Sequence, residues 1–184
     1  MRITHKLGAV AAAALSIVFV AAGSAMASTS NHSVSGYEHL DGAVYGQAAL
    51  AQNPTLPLQL RGLVRTHAIF TLPSGNGAAT IPTPKGTLYA TQVGKDHTSA
   101  KAYAHCYLVF HDSFAVKVTG GTGVFWHASG PGQAQVIFTG YVPRYTSGPH
   151  KGQCNENANP TTSKGASASL NVKISPLTIV VRGH

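Results

Sequence analysis

From residue 120 to residue 132 the chain reads Gly-Gly-Thr-Gly-Val-Phe-Trp-His-Ala-Ser-Gly-Pro-Gly, five glycines in thirteen positions. Glycine at that density marks backbone that takes positive φ or lets a neighbouring chain approach closely. The flanks decide how it is used. Phe114 to Val118 alternates apolar and polar residues, and Gln133 to Phe138 does the same, which is the period of half-buried strands. A glycine corner between two strands constrains the chain to a β-barrel or β-sandwich. A phosphate-cradling loop would instead end in Gly-Lys-Ser/Thr and open a helix, and this segment lacks that ending.

Strand-like runs recur on both sides of the corner. Leu63 to Phe70, Gly86 to Val93, Lys101 to Phe110, Ala168 to Ile174 and Leu177 to Val181 carry the pattern. The run from Lys101 to Phe110 reads as one clean strand, with Tyr103, His105, Tyr107 and Val109 on one face. Gly94 to Ser99 reads as a polar turn and His111-Asp112-Ser113 as a tight connection. Pro82 and Pro84 demote their segment to an edge or loop, because proline cannot donate to a central ladder. Seven or eight strands with no long helix predict one all-β domain, and closure into a barrel would remove its exposed edges.

The N-terminus has a separate logic. Arg2 and Lys6 precede an apolar, small-residue run from Leu7 to Ala22, and Ala25-Met26-Ala27 forms a signal-peptidase pattern. Sixteen residues are short for a membrane span of roughly 20, so residues 1–27 are expected to be a cleaved signal peptide and the protein to be secreted. No later segment is long and apolar enough to span a bilayer. Residues 28–61 are expected to form a flexible or irregular arm, with a short helix or irregular piece at Gly42 to Gln52 ended by Asn53-Pro54-Thr55-Leu56-Pro57. Residues 62–184 are expected to form the barrel.

Thirteen Lys and Arg stand against five Asp and Glu. Thirteen less Arg2 and Lys6 leaves eleven, a net of +6 after cleavage. These cations are scattered singly, whereas a nucleic-acid surface clusters them, so no nucleic-acid partner is expected. Attraction to an anionic cell-surface polymer remains open to such a chain. Both cysteines, Cys106 and Cys154, fall after the leader, and an exported chain meets an oxidising compartment. A single disulfide is expected, pinning the long polar loop from Pro143 to Gly165 onto the sheet.

The pattern Gly-Gly-Thr-Gly-x-Phe-x-x-Ala-x-Gly-x-Gly, from Gly120 to Gly132, resembles the hairpin of allene oxide cyclase-like and dirigent-like barrels, including exported actinobacterial proteins of that type. The resemblance implies an antiparallel eight-stranded β-barrel. It also implies two chemistries, steering of phenoxy-radical coupling without oxidation, or closure of a reactive epoxide in an apolar cavity. Trp126 and His127 stand where the common bacterial form carries small residues. Nothing matches the paired-aspartate strand of plant dirigent proteins, so no catalytic residue is carried over. Gly120, Gly121, Gly123, Gly130 and Gly132 read as structural turn residues.

The remaining chemistry is sparse. Asp96 and Asp112 fall in expected turns, where a carboxylate ordinarily caps backbone amides. Nine histidines follow the leader without His-x-His or His-x-x-x-His spacing, so no metal or cofactor is expected. No Gly-x-Ser-x-Gly elbow is present. One polar-aromatic set could line an interior, or could equally form the solvated face of a sheet: Arg65, His67, Tyr103, His105 and Tyr107, with Trp126 beside them. The expected function is a non-enzymatic secreted barrel that binds a small apolar or aromatic molecule or a surface component. The alternatives are a cofactor-free cyclase- or dirigent-like barrel that guides a reaction, and a basic wall-associated or protein-binding module.

Overall fold

The structure is a computed structural model that describes residues 31–72 and 77–181; the expected signal peptide lies outside them. Eight antiparallel strands form one sheet: β1 His32–Tyr45, β2 Thr55–Gly62, β3 Thr66–Thr71, β4 Ala78–Thr83, β5 Gly86–Ala102, β6 Tyr107–Gly121, β7 Gly130–Tyr141 and β8 Thr162–Val181. Their order is β3-β2-β1-β8-β7-β6-β5-β4, and β3 lies beside β4, so the sheet curls into a nearly closed barrel. The all-β, eight-stranded expectation holds.

The interior follows from strand alternation. Leu56, Leu58 and Leu60 of β2 point inward, as do Val116 and Val118 of β6, Ala134 and Val136 of β7, and Leu170, Val172 and Ile174 of β8, all within one apolar cluster. Cross-strand pairing stacks these residues into rows, such as Leu60–Leu40–Val172–Ala134–Phe114.

Several expectations are corrected. The supposed arm over residues 28–61 contributes two central strands, β1 and β2. Its inward positions on β1 are Gly36, Glu38, Leu40 and Gly42, so glycine and a carboxyl break the apolar signal. On β2 the outward Pro57 resembles a breaker, yet Leu56 and Leu58 beside it are fully buried. Only Gly46–Leu50 is helical there, as a 3-10 turn. The expected strand from Lys101 to Phe110 is instead the end of β5, a 3-10 turn at Ala104–Cys106, and the start of β6. His105 and Cys106 take φ 60° and 61° in that turn, a conformation rare for non-glycine residues. The reversal is closed by hydrogen bonds from Tyr103 N–H to the Tyr107 carbonyl (2.7 Å) and from Cys106 N–H to the Tyr103 carbonyl (3.2 Å). The polar turn at Gly94 to Ser99 is absorbed by β5 through a bulge opposite β6. His111-Asp112-Ser113 is the middle of β6 rather than a connection, and the last two expected strands are the single strand β8.

Other readings stand. Pro82 sits on the end strand β4. Cys106 and Cys154 are bonded. The glycine corner connects β6 to β7 through a 3-10 turn at Gly123–Phe125 and buries the Phe125 side chain completely.

One buried polar group is out of character for this interior. Glu38 is 0% exposed. Its Oε2 accepts the Val64 N–H at 2.8 Å, and its Oε1 has no hydrogen-bond partner. Burial pushes the Glu38 pKa up, opposed by the Val64 hydrogen bond. The folded chain therefore holds this proton more tightly than the unfolded chain. Stability from Glu38 is full below the unfolded carboxyl range and declines as pH rises through the raised folded value. Glu38→Gln keeps an acceptor for Val64 and cannot ionise. It should gain on the order of 1 kcal/mol over the parent at pH 7 and lose the advantage near pH 4. Urea unfolding across that range checks this; parallel pH profiles for parent and variant would refute it.

Candidate functional site

The strands that form the core also leave part of it unfilled. A cavity of about 250 Å³ lies inside the barrel, walled by Phe70 of β3 and Leu72 just beyond it, Ile81 of β4, Leu88 of β5, Phe114 and Val116 of β6, Ala134, Val136 and Phe138 of β7, and Leu170 and Val172 of β8. Small residues create the space. Ala79, Ala90 and Ala134 stand at inward positions where a larger side chain would fill it. A second recess of about 670 Å³ shares Phe138 with the first and is bounded by Leu108, Phe110, the 3-10 segment near Ala49 and the loop residues Glu156 to Pro160. The disulfide at Cys154 anchors that loop.

Four polar residues border the smaller cavity: Thr91, Gln92, Asp96 and Asp112. The β5 bulge brings Asp96 in, since pairing with β6 is broken between Val93 and His97. Asp112 enters by strand alternation, in line with Phe114, Val116 and Val118 on β6. The Oδ1 atom of Asp112 and the Nε2 atom of Gln92 are buried without a hydrogen-bond partner. Such atoms cost free energy in a closed protein, about 1–3 kcal/mol each. Burial first, and then the neighbouring Asp96 charge, push the Asp112 pKa up, while a hydrogen bond from the Ser113 backbone opposes them. The arrangement is a mostly apolar chamber in which one carboxyl oxygen and one amide nitrogen lack partners, the usual composition of a small-molecule site.

The residues singled out from sequence lie elsewhere. Arg65 is exposed in the turn before β3, and His67 is exposed on β3. Tyr103 and His105 are exposed at the β5–β6 turn, with the Lys101 ammonium 5.2 Å from the Tyr103 ring centroid. Tyr107 packs edge-on against Tyr141, ring centroids 5.2 Å apart. Trp126 is half-buried beside His127 just after the corner turn. None of the six lines the cavity. The signal that finds Asp112 is parity: Leu108, Phe110, Phe114, Val116 and Val118 share its register, and reading it as a turn residue hid that.

Among the described residues, no group of three or more His, Cys, Asp or Glu side chains is placed to hold a metal ion. No described helix is long and apolar enough to cross a membrane. No protein-family model, curated protein or solved structure matches this chain. The barrel carries the functional argument alone.

Proposed function

We propose that this is an exported barrel that binds a small, mostly apolar or aromatic molecule in its interior, within the allene oxide cyclase-like and dirigent-like group that the glycine corner resembles. The observation that carries the reading is the 250 Å³ apolar cavity with its unused Asp112 and Gln92 hydrogen-bonding atoms. Interiors are ordinarily packed to crystal-like density, so a chamber of that size lined by alanines is a feature to be filled. Export is supported by the leader pattern and by the disulfide, which fits an oxidising compartment.

A second reading has one specific observation behind it. Asp112 borders the apolar chamber with its Oδ1 atom unpartnered, and burial shifts its carboxyl upward, the direction a general acid–base group needs. A barrel that guides a reaction without a cofactor would use that group. Binding is the primary reading because it needs only the cavity.

Benzene, as a neutral apolar probe, tests the cavity directly. In methyl-resolved NMR of the secreted chain, benzene should shift Val116, Val136, Leu170 and Val172 and leave surface methyls such as those of Ile69 unmoved. Ala134→Phe should fill the space and abolish those shifts. Shifts that are absent, or that persist unchanged in Ala134→Phe, would defeat the reading.

A further inference from the structure

We propose that the barrel cavity selects a compact apolar molecule carrying one protonated amine, held at Asp112 with Asp96 beside it. This rests on the reading of the cavity as a ligand site and adds the charge of the ligand to it.

The acidic residues are few and unevenly placed. The whole chain has five Asp and Glu against thirteen Lys and Arg, yet two of the five border one cavity. Among the described residues no Lys, Arg or His lines that cavity. The ion pair found among the described residues, Arg61 with Asp41 at 4.0 Å, involves neither carboxylate. The chamber therefore carries the opposite sign to the protein as a whole, and among the described residues no ion pair neutralises it.

A carboxylate facing an apolar space without a counter-charge is unfavourable, and a bound cation removes the penalty. Asp112 contributes Oδ1, buried and without a partner. Asp96 adds a second negative group close enough to act on Asp112. Gln92 completes the set. Its amide nitrogen is buried and unpartnered, and the two ends of a side-chain amide exchange by a simple flip, so its oxygen can take an N–H from the ammonium. Apart from Thr91, the rest of the wall is apolar, with Phe114 and Phe138 to cover the hydrocarbon part. An anionic ligand would face two carboxylates. A neutral alcohol would satisfy one oxygen and leave the charge uncompensated.

The test compares two molecules of the same shape, 1-aminoadamantane and 1-adamantanol, by calorimetry with the secreted chain at neutral pH. The amine should bind at least about tenfold more tightly, as a charge-assisted hydrogen bond exceeds a neutral one by that much. Asp112→Asn should weaken the amine about tenfold and leave the alcohol within about threefold. Asp96→Asn, at an exposed carboxylate, should weaken the amine by a smaller factor and serves if Asp112→Asn folds poorly. Equal or tighter binding of the alcohol, or an amine affinity unmoved by both substitutions, would overturn the amine proposal and leave the cavity reading intact. If neither molecule binds and benzene leaves the lining methyls unshifted, both fail together.

Discussion

Breaking the disulfide, as Cys106→Ala with Cys154→Ala, is expected to cost about 4 kcal/mol of stability. The two residues are 48 apart in sequence, and in the chain-entropy account a closed loop of that length restricts the unfolded chain by about that amount. For a domain of this size, 1 kcal/mol corresponds to about 2–4 °C in melting temperature, so a drop of about 8–16 °C should appear. Alanine avoids placing a hydroxyl among Leu108 and Val142, which pack around Cys106. The loop has other ties: Tyr145 N–H bonds to the Gln153 carbonyl, Gly152 N–H to the Tyr145 carbonyl, and Asn155 N–H to the Pro143 carbonyl. Those are mostly local, and they do not restrain the unfolded chain. Urea unfolding of the double variant decides the matter. A loss below about 1 kcal/mol would mean that the loop is held by its own hydrogen bonds. The loop also walls the recess next to Phe138, so its loosening should be felt there before it reaches the inner cavity.

The second large effect is at the glycine corner. Gly123→Ala is expected to cost about 3–4 kcal/mol. Gly123 has φ +59°, and a Cβ there would be driven into the Lys85 carbonyl oxygen. The left-handed conformation costs an L-residue about 1–2 kcal/mol, and forcing backbone apart adds about 1–3 kcal/mol. Gly130→Ala has no positive φ to contend with, yet its Cβ would meet the Pro176 carbonyl of β8. That contact sits beside the reciprocal hydrogen bonds between Ser129 and Thr178, at 2.9 and 2.8 Å, so the clash would pry the corner from its neighbour. Gly148 separates the two causes. It has φ +78° with nothing near its would-be Cβ, so Gly148→Ala should lose only the conformational part, about 1–2 kcal/mol. Thermal melts of the three variants should rank Gly123→Ala lowest and Gly148→Ala nearest the parent. If Gly123→Ala and Gly148→Ala melt together, close approach is not what the corner requires.

The strands that sequence patterning identifies are those whose inward positions are apolar. Gln133 to Val142 shows alternation because Ala134 and Val136 face the core. β1 hides because Gly36, Glu38 and Gly42 occupy inward positions on a strand whose pairing is as extensive as any in the sheet. Asp112 hides for the same reason. A polar residue at an inward position looks, in sequence, like a polar residue in a turn. The six polar-aromatic candidates were attractive because rings and imidazoles can bind, but a barrel solvates one face of every strand, and these residues lie away from the cavity.

What the sequence determined by itself is local and covalent: the glycine corner with its two flanking strands, the all-β class, and the pairing of the only two cysteines. Each follows from short-range chemistry, since backbone permissiveness, side-chain period and thiol count need no knowledge of distant neighbours. Tertiary structure alone decided the interior. Whether β5 continues through a bulge, whether Lys101 to Phe110 turns at His105, and which way Asp112 points depend on long-range pairing between strands. That pairing brings a scarce carboxyl from β6, a second from the β5 bulge and a wall of alanines into one chamber, and no single segment encodes it.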